Sequence, residues 1–280
     1  MTRKAGIVGW PVAHSLSPVL HGYWLEKYGI DGTFERVPAE PGQFEAVIAG
    51  LRAKGFSGVN VTVPHKEAAF ALADKVDAAA KAAGAANLLV LGAAVIEGRN
   101  TDSYGLAQSL HETIGTLAGK DAVLLGAGGA ARGAVLALEA LGATSIHILN
   151  RDVARAQTLA SALTSHVNAR LVPGALADWN KIAPGVALAV NSTSAGMGSI
   201  PPLDLDLSAL PGDAVVCDIV YVPLQTRLLK DAAARGLRTV DGLGMLMHQA
   251  VPSFEAFFGT RPQVDAGLRA RLESELRARG

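Results

Sequence analysis

The stretch Asp121 to Arg132, DAVLLGAGGAAR, limits the fold more than any other part of the 280-residue chain. An apolar run, a glycine turn and a series of small residues predict a strand, a tight turn and a helix over Ala130 to Leu141. Gly126 and Gly128 stand in G-x-G spacing, and Ala131 takes the third position of a G-x-G-x-x-A fingerprint, where a small side chain lets helix and strand pack closely. Without a Cβ, Gly126 can take the turn's backbone angles and Gly128 leaves room for a pyrophosphate. That phosphate would sit on free amides at the helix N-terminus, so Gly129, Ala130 and Ala131 join the two glycines as expected cofactor contacts. Ordinary strand-helix turns in parallel sheets carry the same pattern, so the flanks have to decide.

After Gly142 ends the helix, Ser145 to Leu149 predicts a second strand, which gives the unit βαβ length and a right-handed parallel crossover. Asn150 and Arg151 follow about 20 residues beyond Gly128, where an NAD-binding domain places an acid on the ribose 2′-hydroxyl. A guanidinium there can fork onto a 2′-phosphate and stack on adenine, which points to NADP(H) rather than NAD(H). Asp152 is next and would repel that phosphate if it faced the same way. The other reading is a surface turn in which Arg151 pairs with Asp152.

The length suits one large or two medium domains, each with its own core. Lys+Arg and Asp+Glu both number 25, so no global charge recruits nucleic acid or an anionic membrane, and a small-molecule partner is expected. Cys217, the single cysteine, lies in the apolar run Ala214 to Val220 and reads as a buried, inert thiol, with no intramolecular disulfide possible. No metal site is expected, since His14 and His21 have no partner at metal spacing and read as a loop and a helix-surface histidine. Arg3 and Lys4 precede a segment broken by Gly6, Gly9 and Pro11, a better first strand than a signal peptide. The apolar tract Ala82 to Ile96 is too short for a bilayer. A soluble cytoplasmic protein, monomer or homodimer, is expected.

Taken in order, Ala5 to Gly9 predicts a buried strand, and Ser17 as N-cap with Pro18 at the first helical position opens a helix to Tyr28. Ser15 and Ser17 could face one anionic or hydroxylated ligand, or Ser17 only caps and Ser15 is solvated. Thr33 to Val37, the helix Phe44 to Lys54 and the strand Ser57 to Val63 begin a βα alternation. Asn60, Thr62 and Lys66 then fall near the carboxyl end of a strand, where open α/β sheets bind ligands, with Asn60 and Thr62 on one face. Lys66 alone reads equally as a solvated lysine at a helix start. Leu88 to Ile96 predicts a hairpin around Gly92, preceded by Asn87, and Asp102 could simply cap a helix over Ser103 to Thr113. Beyond the fingerprint come a helix Val153 to Leu163, strands at Ala187 to Asn191 and Ala214 to Tyr221, a helix Gln225 to Arg235 and a strand Arg238 to Val240. Asp241 to Gly244 reads as a return hinge, followed by helices Met245 to Phe258 and Ala266 to Arg277.

Together, Ser15-Leu16-Ser17-Pro18, NVTVPHK at Asn60 to Lys66, Gly98-Arg99-Asn100-Thr101-Asp102, Gly126 to Arg132, Asn150-Arg151, Asn191 to Met197 and GMLMHQ at Gly244 to Gln249 resemble the shikimate dehydrogenase family, in order and over nearly the whole chain. The resemblance implies an α/β fold of two domains with a cleft between them. These are a discontinuous substrate domain, 1–102 with 242–280, and a Rossmann-like NADP-binding domain, 103–241. It places Ser15, Ser17, Asn60, Thr62, Asn87, Tyr221 and Gln249 on shikimate or 3-dehydroshikimate, with Lys66 and Asp102 as the catalytic pair. Asn150, Arg151, Thr193, Ile219, Gly242 and Met245 fall to NADP(H). Two residues depart from the pattern: Leu88, where the family usually has threonine, and Asp152, where NADP users often have threonine.

Overall fold

In the computed structural model, which describes residues 2–279, the chain forms two units. One contains the residues up to Thr101 and those from Gln249 onward; the other runs from Asp102 to His248.

The first unit is built on a mixed six-stranded sheet of β1 (Arg3–Gly9), β2 (Gly32–Pro38), β3 (Phe56–Val61), β4 (Lys75–Val76), β5 (Leu88–Leu91) and β6 (Ile96–Arg99), in the order β2-β1-β3-β5-β6-β4. β2 and β3 run parallel to β1, whereas β5 is antiparallel to both β3 and β6. The β5–β6 hairpin closes with Gly92 N–H on the Val95 carbonyl at 3.1 Å. The helices are α1 (Ser17–Lys27), α2 (Phe44–Ala53), α3 (Lys66–Leu72) and α4 (Ala78–Ala83). Val8, Val59 and Leu89 pack with Phe44, Ile48 and Leu51 of α2 in one core. A second core gathers Trp24, Phe254, Phe257 and Phe258, all nearly or fully buried.

His21 belongs to that aromatic core and is not a surface histidine. It is fully buried, with its ring 3.9 Å from that of Phe34 and parallel to it. Burial pulls its pKa down to about 3, so the imidazole is neutral and acts as an aromatic plate. Ser17 also differs from expectation. It is the first helical residue, Leu16 holds the cap position without a side-chain bond, and Ser15 Oγ accepts the Ser17 N–H at 3.2 Å.

The second unit contains α5 (Asp102–Ile114), β7 (Asp121–Leu125), α6 (Gly129–Ala140), β8 (Ser145–Asn150), α7 (Val153–Leu163), β9 (Arg170–Ala175), α8 (Trp179–Ile182), β10 (Val186–Asn191), β11 (Val215–Asp218), α9 (Arg227–Ala234) and β12 (Arg238–Val240). Its six strands are all parallel, in the order β12-β11-β10-β7-β8-β9. The sheet is wound outward in both directions from β7, so the order reverses between β7 and β10, the place where open α/β sheets hold ligands. Apolar side chains fill both faces, Leu106, Val135 and Leu159 among those on one side and Trp179, Leu207 and Leu229 on the other. Cys217 is buried there, and burial pushes its thiol pKa well up, so it is inert.

Gly242 to Gly244 are helical rather than a loop. α10 (Gly242–Phe258) starts at Gly242, and Asp241 Oδ1 accepts the Leu243 N–H at 3.1 Å. α11 (Ala266–Arg279) ends the described chain, and among the described residues no helix is long and apolar enough to cross a membrane.

Candidate active site

In the first unit the expected substrate residues gather at the carboxyl ends of β1 and β3. These two strands are parallel neighbours, with Ile7 opposite Asn60, and Trp10 N–H reaches the Val63 carbonyl at 3.1 Å. Ser15 lies on the loop after β1, and Arg36 of β2 holds its carbonyl through Nη2 at 2.8 Å and Nε at 3.3 Å. Ser17 is buried at the N-terminus of α1, the end of a helix that favours negative charge.

Asn60 is half-buried on β3, and its amide donates to Ser253 Oγ at 2.7 Å and to the Asn87 carbonyl at 3.2 Å. Asn87 is buried just before β5. Its Oδ1 accepts Thr101 N–H at 2.8 Å and its Nδ2 donates to Thr101 Oγ1 at 3.0 Å. Sequence reasoning gave no separate role to Thr101, Ser253 or Arg36, which hold these expected site residues through hydrogen bonds. Thr62 lies one position past β3, with its N–H on the Val8 carbonyl at 2.9 Å.

Lys66 opens α3 and is half-buried. Its neighbour His65 is buried, stacked on Phe44 and bonded to the Ala39 carbonyl at 2.7 Å. The Lys66 carbonyl accepts Ala86 N–H at 2.9 Å, which ties the start of α3 to the residue preceding Asn87. Gln249 is half-buried on α10. Leu88, the departure from the family pattern, is fully buried in β5 opposite Asn60.

In the second unit the fingerprint turn has the expected shape. Gly126 takes φ 108°, a conformation L side chains rarely adopt, and a Cβ there would fall 2.7 Å from Thr193 Cγ2. Gly128 precedes α6, and a Cβ added at Gly128 or Gly129 meets no protein atom within 4 Å. The backbone is therefore accessible at the head of a 12-residue helix, and Gly128 to Ala130 are exposed, a cradle that fits a dinucleotide pyrophosphate. Ala131 is fully buried against the sheet.

Thr193 follows β10, its N–H and Oγ1 bonded to Asn191 Oδ1 at 3.0 and 2.7 Å. Ile219 and Tyr221 lie past β11, which ends at Asp218 rather than at Tyr221. A Cβ at Gly242 would stand 2.2 Å from the Ile219 carbonyl oxygen, so glycine is required there by the neighbouring backbone. Met245 packs on the core that includes Leu106 and Val135. Asp102 is the first residue of α5 and is buried.

Asn150 ends β8, and Arg151 stands exposed beyond it. Asp152 is the N-cap of α7, its Oδ1 accepting Ala154 N–H at 3.0 Å while its carbonyl accepts Asn150 Nδ2 at 2.9 Å. The turn is thus built by Asn150 and Asp152, and the carboxylate has a structural task there.

Residues 7–89 match the family model described as shikimate dehydrogenase substrate binding domain, and residues 106–198 match shikimate / quinate 5-dehydrogenase. A Methylobacterium radiotolerans protein named shikimate dehydrogenase (NADP(+)) is 50% identical over 280 residues, covering 98% of each chain. The chain belongs to the shikimate dehydrogenase family. Among solved structures, that of the Thermus thermophilus family member in complex with NADP(H) and shikimate aligns with TM-score 0.82 and 32% identity over 99% of both chains. Quinate dehydrogenase from Corynebacterium glutamicum, in complex with NAD, aligns with TM-score 0.90 and 30% identity over 98% of this chain and 99% of its own.

Against the family's usual threonine after Asn150-Arg151, Asp152 keeps the capping function and adds a charge. Asp152→Ala is expected to lower unfolding stability by about 0.5–2 kcal/mol, read from urea melts, whereas Asp152→Ser retains a cap and stays near the wild-type value. Equal losses in both variants would show that the cap is not what Asp152 contributes.

Proposed function

We propose that the protein catalyses reversible hydride transfer between NADPH and the ring carbonyl of 3-dehydroshikimate, giving shikimate. The observation that carries this reading is the 50% identity, over nearly the full chain, to a protein named NADP-dependent shikimate dehydrogenase. The bound nicotinamide supplies the hydride. Gly128, Gly129 and Ala130 hold the pyrophosphate, with Gly126 shaping the turn and Ala131 packing the helix on the sheet, Asn150 and Arg151 hold the adenosine 2′-phosphate, and Thr193, Ile219, Gly242 and Met245 the remainder of the cofactor.

In this reading the unit with Ser15 and Ser17 binds substrate, the two hydroxyls taking its carboxylate. Asn60, Thr62, Asn87, Tyr221 and Gln249 take ring hydroxyls. Lys66 and Asp102 handle the proton that the substrate hydroxyl loses or regains as its carbon changes oxidation state. The ammonium stabilises the developing alkoxide and relays the proton, and the carboxylate holds the ammonium in place. Action on small molecules by a cytoplasmic monomer or homodimer, without nucleic-acid or membrane partners, belongs to the same reading and agrees with the balanced charge.

A second reading, quinate dehydrogenation, is favoured by the likeness to the Corynebacterium glutamicum enzyme. Quinate carries an extra hydroxyl on a tetrahedral carbon beside its carboxylate. Two small serines, Ser15 and Ser17, suit the planar carboxylate of shikimate better, and family members that use quinate often carry threonine at one of them. The test is kcat/KM on shikimate and quinate, each with NADP and with NAD. Shikimate with NADP is expected to be highest. Equal kcat/KM for quinate and shikimate would overturn the substrate assignment, and no turnover on either would leave an NADP-binding regulator in place of an enzyme.

A further inference from the structure

We propose that Asp218, a residue outside the family motifs described above, is a positioning residue that sets the Thr193 turn and Ile219 in the arrangement that receives the cofactor. The inference rests on the NADP-dependent reading of the second unit. Asp218 ends β11 with 1% of its surface exposed, and no ion pair neutralises it among the described residues. A carboxylate buried without a cation is disfavoured by desolvation and persists only where donors surround it.

Three donors do so, each from a different segment. Asn191 Nδ2 at the end of β10 reaches Oδ1 at 2.9 Å, Val220 N–H past β11 reaches Oδ1 at 3.1 Å, and Thr226 Oγ1 at the head of α9 reaches Oδ2 at 2.7 Å. Burial raises the Asp218 pKa, and these bonds work against that rise.

The direction of these bonds fixes more than their own partners. Asp218 Oδ1 already accepts the Val220 N–H, so it meets Asn191 as an acceptor, and Asn191 turns its NH2 toward Asp218 and its oxygen away from it. That oxygen then accepts both Thr193 N–H and Thr193 Oγ1–H, and Thr193 Oγ1 in turn accepts Ala195 N–H at 3.0 Å. With its hydroxyl committed, Thr193 lays its methyl group against the Gly126 turn. On the other side, Val220 N–H is held by Asp218 and Ile219 N–H by the Asn191 carbonyl at 3.1 Å, which places the Ile219 carbonyl against Gly242. One carboxylate, itself almost fully buried, thus orients four of the expected cofactor contacts, Gly126, Thr193, Ile219 and Gly242.

The test is isothermal titration of NADP+ into the full chain without shikimate, together with KM for both substrates. Asp218→Asn is isosteric but replaces one acceptor oxygen by an NH2 and removes the charge, so the bonds that hold the Asn191 amide weaken. Loss of a hydrogen bond to a charged group typically changes an equilibrium by about tenfold or more, and NADP+ Kd is expected to rise about tenfold while shikimate KM stays within about twofold. Thr226→Val removes one of the three donors and so loosens the carboxylate that orients Asn191, and is expected to raise Kd about threefold; it decides the matter if Asp218→Asn does not fold. NADP+ Kd unchanged in these variants, or shikimate KM rising as much as NADP+ Kd, contradicts the role of Asp218. Absence of NADP+ binding by the wild-type protein would contradict the cofactor reading and this proposal together.

Discussion

Lys66→Ala is expected to lower kcat by about 10² to 10⁴ while changing shikimate KM far less, because acid-base help acts mainly on the transition state. The hydroxyl of shikimate cannot become a carbonyl without losing a proton as hydride departs, and an uncatalysed proton transfer to water would leave the alkoxide unstabilised. Lys66 supplies an ammonium on a rigid support. Its backbone is anchored by the buried His65 before it and by the Ala86 amide, so the first turn of α3 is fixed relative to Asn87. Asp102→Asn, nearly isosteric and uncharged, should also depress kcat and leave NADP affinity unchanged. A Lys66→Ala variant with raised KM and full kcat would make Lys66 a binding residue only, and the catalytic assignment would fail.

Arg151→Ala is expected to raise KM for NADP by about tenfold to 150-fold and to leave NAD nearly unaffected, since charge-assisted hydrogen bonds contribute about 1.5–3 kcal/mol. The exposed guanidinium follows β8 at the position where NAD-binding sheets carry an acid. Asp152 does not reverse this expectation, because its carboxylate is turned onto the Ala154 amide as the cap of α7. Equal use of NADP and NAD by the unmodified protein would instead make the Asp152 charge the dominant one.

The parts of the fold that were legible in the sequence are those where a local rule has a single solution. At Gly126 only glycine readily takes φ 108°, so the turn, its strand and its helix followed from the residue type. The parallel pairing of β7 with β8 followed from the βαβ length of the unit that this turn opens, whereas the place of β10 on the other side of β7 had no local signal. β9 was missed because Pro173 and Gly174 interrupt its pattern, and an edge strand tolerates what a central one does not. Residues 66–83 are alanine-rich and carry little periodicity, although Asp77 as cap and Gly84 in the left-handed conformation do mark the ends of α4. His21 was misread because it is polar, yet Ser17, Leu20, His21, Trp24 and Leu25 form a buried stripe at helical spacing. Period rather than polarity was the better guide there.

The candidate site was legible as residue types but not as a support structure. Asn60, Asn87 and Lys66 stand at strand ends and helix starts that the sequence marks. Thr101, Ser253 and Asp218 act through hydrogen bonds between segments distant in sequence, and no local pattern registers those pairings. Asp218 left one trace, a carboxylate inside the apolar run Ala214 to Val220, where burial without a partner would be too unfavourable to persist.

The most direct test of the central claim is to add 3-dehydroshikimate to the purified protein with NADPH, follow the loss of NADPH absorbance and identify the product by NMR. The account predicts NADPH consumption that requires 3-dehydroshikimate and yields shikimate in equal amount. NADPH left unconsumed, or consumed without shikimate appearing, would contradict it.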